Sequence, residues 1–415
     1  MYDILPLLLY NISPGGGWMG YKILKEEDVV DYVKSKKLLN GKEFSVKQVG
    51  DGNLNNVYRV VNEQGESIVI KQALPYVKIV GDSWPLPLER NTIEAKALKI
   101  HGKYCRKHVV KVLYVDEEYY LMVMEDLSNM EVMRLGMIRM KKYPKFSEHI
   151  SSYLAKTFFY TSDFFMDPIE KKELVREFIN PHLCKITEDL IFTDPYYDAP
   201  RNNINPELLP YLKNKFWKRR YLWREASKMK YKFLTEAESL VHGDLHTGSI
   251  FANENETKVF DAEFAYFGPA AFDQGLLLGN ILINYISFEG KDFPKDKVQD
   301  YREFILTMIE EIYEKFSKKL RKLWKKVNDI SFKDEAFLDY YLKKYFEDML
   351  GYAAVVMIRR MHGLAHNIDV DEIEDLKVRS EVQKLILDMA TNIMMTRKHW
   401  KDIKEVTEYV KSFIF

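Results

Sequence analysis

Around Phe44 to Gln72 the chain passes through three short β-rich runs, 44–49, 56–61 and 67–72, separated by Gly-containing turns. Past Asp126 most segments take on helical spacing. Runs of this length with tight turns pair most simply as an antiparallel meander. The later apolar residues recur every three or four positions and bury a helix face. One chain therefore has to build a small part containing a sheet and a larger, mainly helical part, an α+β bilobal architecture. A first helix is expected to open near 21–30. A second lies at 89–98, where Ile93, Ala97 and Ile100 share a face, and further strands are expected at 109–115 and 119–124. Beyond them, helices are expected at 152–160, 171–178, 301–326, 335–361 and 381–409, interrupted by strand-like pieces at 249–251 and 257–260. The expected division is a tail at 1–20, disordered or an upstream start, then a first lobe at 21–127 and a second at 128–415.

Composition narrows the function classes. At 415 residues, 47% hydrophobic and 14% aromatic, the chain has ample material for a core, and its 62 basic residues balance 62 acidic ones. That balance asks for neither nucleic acid nor an anionic membrane as partner. The apolar patch at the start is far shorter than the roughly 20 residues a membrane span needs, and no basic leader precedes it. Cys105 and Cys184 are too few for a disulfide framework and lack zinc-site spacing, which points to a reducing compartment, and a cytoplasmic location is expected.

Carboxylates carry the chemical signal. Asp244 lies in His242-Gly243-Asp244-Leu245-His246-Thr247-Gly248-Ser249, a loop entering an apolar β pair, and Asp261 ends the strand that follows, with Glu263 two residues on. Phosphoryl transfer needs an oriented hydroxyl, metal-bridged phosphates and nearby cations more than covalent help. Asp244 suits the first need, accepting or orienting the hydroxyl proton. Asp261 and Glu263 suit the second, as hard oxygen ligands for Mg2+. Any one loop carboxylate is more often a solvated turn or cap; it is the constellation that argues for chemistry. His242 and His246 are expected to bond backbone around the loop rather than act as acid or base.

Upstream, the turn Gly50-Asp51-Gly52-Asn53-Leu54-Asn55 would let backbone N–H groups approach phosphate, although a plain hairpin turn explains it equally. Lys71 ends an apolar strand and could meet nucleotide phosphates, with Glu94 fixing its rotamer; a solvated strand-end lysine is the alternative. Glu125, Asp126 and Leu127 follow another strand, where a hinge would offer its backbone to an adenine edge, or where acids would simply cap the strand. Arg359 and Arg360 close a strongly apolar helix. They are expected to point to different faces, at least one toward a functional partner, and guanidinium forks match phosphate or diol oxygens. Trp84 could shape a loop or pack on the surface.

These stretches, with Gly81-Asp82-Ser83-Trp84-Pro85, Tyr153-Leu154-Ala155-Lys156-Thr157, 184–190 and Arg359-Arg360-Met361-His362-Gly363-Leu364-Ala365-His366, resemble the 5-methylthioribose kinase family, a relative of choline kinases and aminoglycoside phosphotransferases. The resemblance runs from about Tyr21 to the C-terminus. It implies a protein-kinase-like bilobal fold, often a homodimer, that uses ATP and Mg2+ to phosphorylate the anomeric hydroxyl of 5-methylthioribose in methionine salvage. Carried over residue by residue, it implies nucleotide contacts from Asn53 and Lys71 and adenine held by the backbone of Glu125, Asp126 and Leu127. Asp261, Ala262 and Glu263 would form the metal and nucleotide element, and Asp244, Arg359 and Arg360 would meet the sugar. Two departures from the wider kinase pattern stand out. Ser249 occupies the place of a metal-binding Asn, and Asp-Ala-Glu replaces Asp-Phe-Gly, which makes Glu263 the expected replacement ligand. The competing readings are a kinase of choline, an aminoglycoside or homoserine, and a catalytically silent binding module. The paired arginines speak against a cationic substrate, and the presence of Lys71, Asp244 and Asp261 speaks against silence.

Overall fold

The computed structural model describes residues 21–49, 55–77 and 81–414, with backbone alone at 77 and 81–84. The expected tail at 1–20, the Gly-rich turn with Asn53 and the Trp84 side chain lie outside the described residues. The chain divides into two compact units, one formed by residues 1–92 and 113–124, the other by 93–112 and 125–415.

In the first unit, strands Phe44–Gln48, Asn55–Asn62 and Ser67–Ala73 form the expected antiparallel meander, registered Val46 to Val60 and Tyr58 to Ile70. Leu121–Glu125 and Val112–Asp116 extend it, in that spatial order, to five strands. Alternation puts Tyr58, Val60, Ile68, Ile70, Leu121 and Val123 on one face, where Val29, Tyr32 and Val33 of helix Glu26–Lys36 cover them. Full burial of each such side chain stabilises by roughly 1.5–3 kcal/mol. Two polar groups fix the helix on the sheet. Asp116 accepts from the Tyr32 hydroxyl at 2.8 Å and pairs with Lys36 at 2.9 Å, while the Gln72 amide bonds the Leu24 N–H and the Lys22 and Tyr119 carbonyls. Gly81–Pro85 is a short strand paired with Tyr76–Val77, where a loop is expected from sequence.

The second unit is mainly helical. Helices Lys295–Trp324 and Glu335–His362 appear close to where their periodicity predicts them, but the expected single helix at 381–409 is two, Leu376–Thr396 and Ile403–Ile414. The break has a local cause. Arg397 turns inward to the Met394 carbonyl and to Glu225, and Asp402 then caps the next helix by accepting from the Lys404 and Glu405 N–H groups. Helix Ala271–Ser287 is buried along its whole length against Glu335–His362. Gly275 and Gly279 permit the approach, since a Cβ on either would lie 2.7 Å from a backbone carbonyl oxygen of the facing helix. No helix among the described residues is long and apolar enough to cross a membrane.

Two small sheets position the candidate site. Ser239–Val241 pairs antiparallel with Tyr266–Gly268, and Ile250–Ala252 lies between Thr257–Val259 and Glu131–Val132. The loop carrying Asp244 is therefore strung between one sheet and the other.

Candidate active site

The Asp244 loop is held by its own backbone. Directly after strand Ser239–Val241, the N–H groups of His242 and Gly243 donate to the Asp273 carboxylate at 2.7 and 3.0 Å, from the first turn of the buried helix. Gly243 has φ +84°, and a Cβ there would lie 2.6 Å from the Phe264 carbonyl carbon, so only glycine fits. His242 accepts the Asp244 N–H at Nδ1 and donates from Nε2 to the Phe260 carbonyl at 2.7 Å, tying this loop to the residue before Asp261. Ser249 is buried, and its hydroxyl lies 3.0 Å from the Asp244 carbonyl and 2.9 Å from both the carbonyl and the N–H of His246. That hydroxyl is therefore committed to the loop.

His246 accepts the Gly248 N–H at Nδ1, which leaves the proton on Nε2, and Nε2 lies 3.4 Å from an Asp244 carboxylate oxygen. Burial pushes the imidazole pKa down to about 4 against the pull of Asp244, so His246 is a neutral donor at physiological pH. Burial would raise the Asp244 pKa, but His246, Arg360 and Arg359 reverse this and hold it far below the ordinary carboxylate range. Asp244 is thus ionised, about a quarter exposed, and a weak base.

Adjacent residues on a helix point about 100° apart, yet both arginines turn the same way, contrary to the expectation that they diverge. Arg359 donates to the Ala365 carbonyl at 3.2 Å and Arg360 to the His366 carbonyl at 3.0 Å, in the turn that ends their helix. Both are more than nine-tenths buried, and the Nε of each has no partner. Long flexible stems allow this convergence. The chemical outcome is an ionised carboxylate faced by two guanidiniums with donors to spare.

Asp261 follows strand Thr257–Val259 with φ +69°, a left-handed conformation that costs a non-glycine residue of order 1–3 kcal/mol and tends to occur at functional positions. The turn after it is fixed by buried Asn180, whose amide donates to the carbonyls of Glu263 at 2.9 Å and Ala265 at 3.2 Å. Ala262 and Glu263 are buried.

Of the remaining expected residues, Lys71 is 5% exposed, which rules out a solvated strand end, and its carbonyl accepts from the Asn91 amide. Glu94 is 1% exposed. The Glu125 carboxylate is taken by Lys258 and the Lys111 N–H, and that of Asp126 by Ser128. Leu127 is buried.

Sequence reasoning missed Arg134, Asp273 and Asn180, which have no local motif. Arg134 opens the helix Met133–Ile138, and its guanidinium donates to Thr247 at 3.2 Å and Asn280 at 3.0 Å. Gly248, beside Thr247, leaves room for it, since a Cβ there would lie 3.1 Å from the Arg134 guanidinium carbon.

The buried histidines make the fold acid-sensitive. His101, His108, His246 and His362 are each lowered by burial to about 4. Between that value and the unfolded value near 6.5 the unfolded chain binds more protons, so their contribution is complete above about pH 6.5 and is lost as pH falls toward 4. A shift of this size corresponds to about 3 kcal/mol per histidine at most. Asp273 and Asp369, raised by burial, work in the opposite direction, but two groups oppose four. The thermal midpoint is expected to fall continuously from pH 7 to pH 5 in a denaturation series; a flat midpoint would contradict this.

The phosphotransferase enzyme (APH) family matches residues 179–307, which contain both the Asp244 loop and the Asp261 turn. Methylthioribose kinase of Geobacillus sp. (strain WCH70) is 42% identical over 389 residues, covering 93% of this chain and 95% of the relative. That of Pectobacterium atrosepticum is 38% identical over 395 residues, covering 94% and 98%. Among solved structures, spectinomycin phosphotransferase in complex with ADP and spectinomycin aligns with 91% of this chain and all of its own, at 12% identity and a TM-score of 0.43. Identity of this order along nearly the whole of both chains places the protein in the methylthioribose kinase family.

Proposed function

We propose that the protein transfers the γ-phosphoryl group of ATP to the anomeric hydroxyl of 5-methylthioribose, giving the 1-phosphate used in methionine salvage. The observation that carries this reading is the ionised Asp244, held so by the charges of Arg359 and Arg360, in a chain that matches methylthioribose kinase over 93% of its length. Asp244 receives the sugar hydroxyl and aims it; as a weak base it takes the proton late, which suits a loose transition state with little early deprotonation. The two guanidiniums offset charge on the arriving phosphoryl group. Lys71 engages nucleotide phosphates, Asn53 contacts the nucleotide, and the backbone at 125–127 holds adenine, the Glu125 and Asp126 side chains being occupied elsewhere.

Magnesium is usually held by one or two carboxylates together with substrate phosphates rather than by an all-protein cage. Asp261 and Glu263 offer donors of that type. Among the described residues no group of three or more His, Cys, Asp or Glu forms a cage, and Ser249 is committed to its loop. Bound there, the ion would neutralise charge on the phosphates. Glu263→Gln is expected to raise the magnesium concentration for half-maximal turnover by about tenfold, the loss of one charged ligand; an unchanged magnesium dependence contradicts the assignment.

A cationic alcohol would call for clustered acids and aromatics in the helical part, where Asp189, Asp194 and Asp198 lie near Tyr196 and Tyr197, but those acids are already paired. Asp189 and Asp194 pair with Arg201 at 3.1 and 2.8 Å, and Asp198 with Lys213 at 3.3 Å. A coupled ADP-release assay comparing methylthioribose, choline and homoserine tests the proposal; turnover of choline or homoserine in preference to methylthioribose would overturn it. A homodimer in a reducing cytoplasm completes the reading, supported by the family resemblance and the two free thiols.

A further inference from the structure

Three buried guanidiniums, those of Arg134, Arg359 and Arg360, gather near Asp244, and Asp369 lies beside the first of them. Arg134 donates to Thr247 of the Asp244 loop and to Asn280 and lies near Asp369, and the charges of Asp244 and Asp369 act on the buried Arg134 and Arg360, that of Asp244 also on Arg359. His246, which lies 3.4 Å from Asp244, is neutral and adds no positive charge there. The Arg134 side chain is 14% exposed, and its pairing with Asp369, at 3.9 Å, is an ion pair without a hydrogen bond. The Asp369 oxygen that faces Arg134 is buried and receives no hydrogen bond, while the other accepts from the Asn284 amide at 2.7 Å, and Asn284 in turn accepts from the Tyr301 hydroxyl. A rigid frame of buried amides and one carboxylate therefore holds Arg134 against the Thr247 side of the loop. Burying a third guanidinium carries a large desolvation cost, and a neutral sugar would not offset it. A phosphoryl group would.

We infer that Arg134 is the third arginine of an anion site, a positioning residue that favours the phosphorylated acceptor over the neutral sugar, with Asp369 as its counter-charge. It acts through the field at Asp244 and by fixing Thr247, and it gives the site higher affinity for product than for substrate. The inference rests on the proposed reaction for the identity of that anion, but the presence of an anion site can be tested without turnover.

The experiment measures binding of inorganic phosphate and of methylthioribose 1-phosphate by calorimetry, and KM for methylthioribose, in wild type, Arg134→Lys, Arg134→Gln, Asp369→Asn and the Arg134→Gln/Asp369→Asn double variant. Removing one nearby charge is expected to weaken sugar-phosphate binding about tenfold in Arg134→Gln, with KM for the neutral sugar changed less than about threefold. Arg134→Lys should recover most of the loss. Asp369→Asn, which perturbs the same frame but keeps the cation, should bind sugar phosphate as tightly as wild type or more tightly. The double variant replaces the ion pair with a neutral pair and should reproduce the loss even if Arg134→Gln alone does not fold. Equal losses for both ligands, a loss in Asp369→Asn matching that in Arg134→Gln, or unchanged phosphate binding in the variants would each overturn the inference. Failure of the wild type to phosphorylate methylthioribose would instead overturn the proposed function, and inorganic phosphate binding would still decide whether the anion site exists.

Discussion

Replacing Asp244 by Asn is expected to lower kcat by about 10²–10⁴, the usual contribution of a positioned acid–base group, while KM for ATP changes less than about twofold. The isosteric amide keeps an oxygen for His246 but loses the charge that Arg359 and Arg360 now face. Because those neighbours hold the Asp244 carboxylate far below its ordinary range, and His246 is neutral down to about pH 4, neither group should produce an acid limb in the pH–rate profile between pH 5 and 7. A variant with near wild-type kcat, or a wild-type profile with a limb near pH 6.5 that disappears in His246→Gln, would contradict these assignments.

The second large effect is expected at a residue that touches no substrate. Asp273→Ala removes the acceptor of two buried backbone donors, His242 N–H and Gly243 N–H. Each orphaned buried amide costs about 1–3 kcal/mol, so a destabilisation of roughly 2–6 kcal/mol should appear as a clear drop in the urea midpoint. Release of the loop that aims Asp244 should lower kcat by about 10²-fold, the scale of a 1 Å misplacement. Asp273→Asn, which can still satisfy one of the two donors, should fall between Ala and wild type. A kcat for Asp273→Ala equal to wild type would show that the loop holds its shape without the carboxylate.

Asp273 also illustrates where sequence reading stops. Alternation along 44–49, 56–61 and 67–72 makes the meander legible, because each strand buries one face and a period of two is visible in a handful of residues. The long helix at Lys295–Trp324 is legible for the same reason, with a period near 3.6, whereas Glu335–His362 shows such a face only in its first half and is buried on every side from Asp348 onward. Helix Ala271–Ser287 has no such stripe. It is buried on every side, and its two glycines let another helix approach. The break at 397–402 carries no Gly or Pro to announce it, although Asp402 is a recognisable N-cap once the helix start is known.

At the site, Asp244, Asp261 and Glu263 were visible because turn chemistry and strand ends place them within about twenty residues of one another, and the arginine pair because two charges ending an apolar helix demand a partner. Arg134 and Asn180 are different. Their partners lie 113 and 83 residues away in sequence, at Thr247 and Glu263, and only the tertiary fold makes those distances short. Local pattern can show which groups carry charge; it cannot show which buried amide or guanidinium will hold them in place.

The most direct test of the central claim, that an ionised Asp244 presents the anomeric hydroxyl of a neutral sugar for phosphorylation, is a phosphorus NMR spectrum of the product formed by the wild-type protein from ATP, magnesium and methylthioribose. A single phosphomonoester coupled to the anomeric proton, absent when Asp244→Asn is substituted for wild type, is the predicted result. Phosphate on another hydroxyl, or the same product formed at the same rate by Asp244→Asn, would contradict the account.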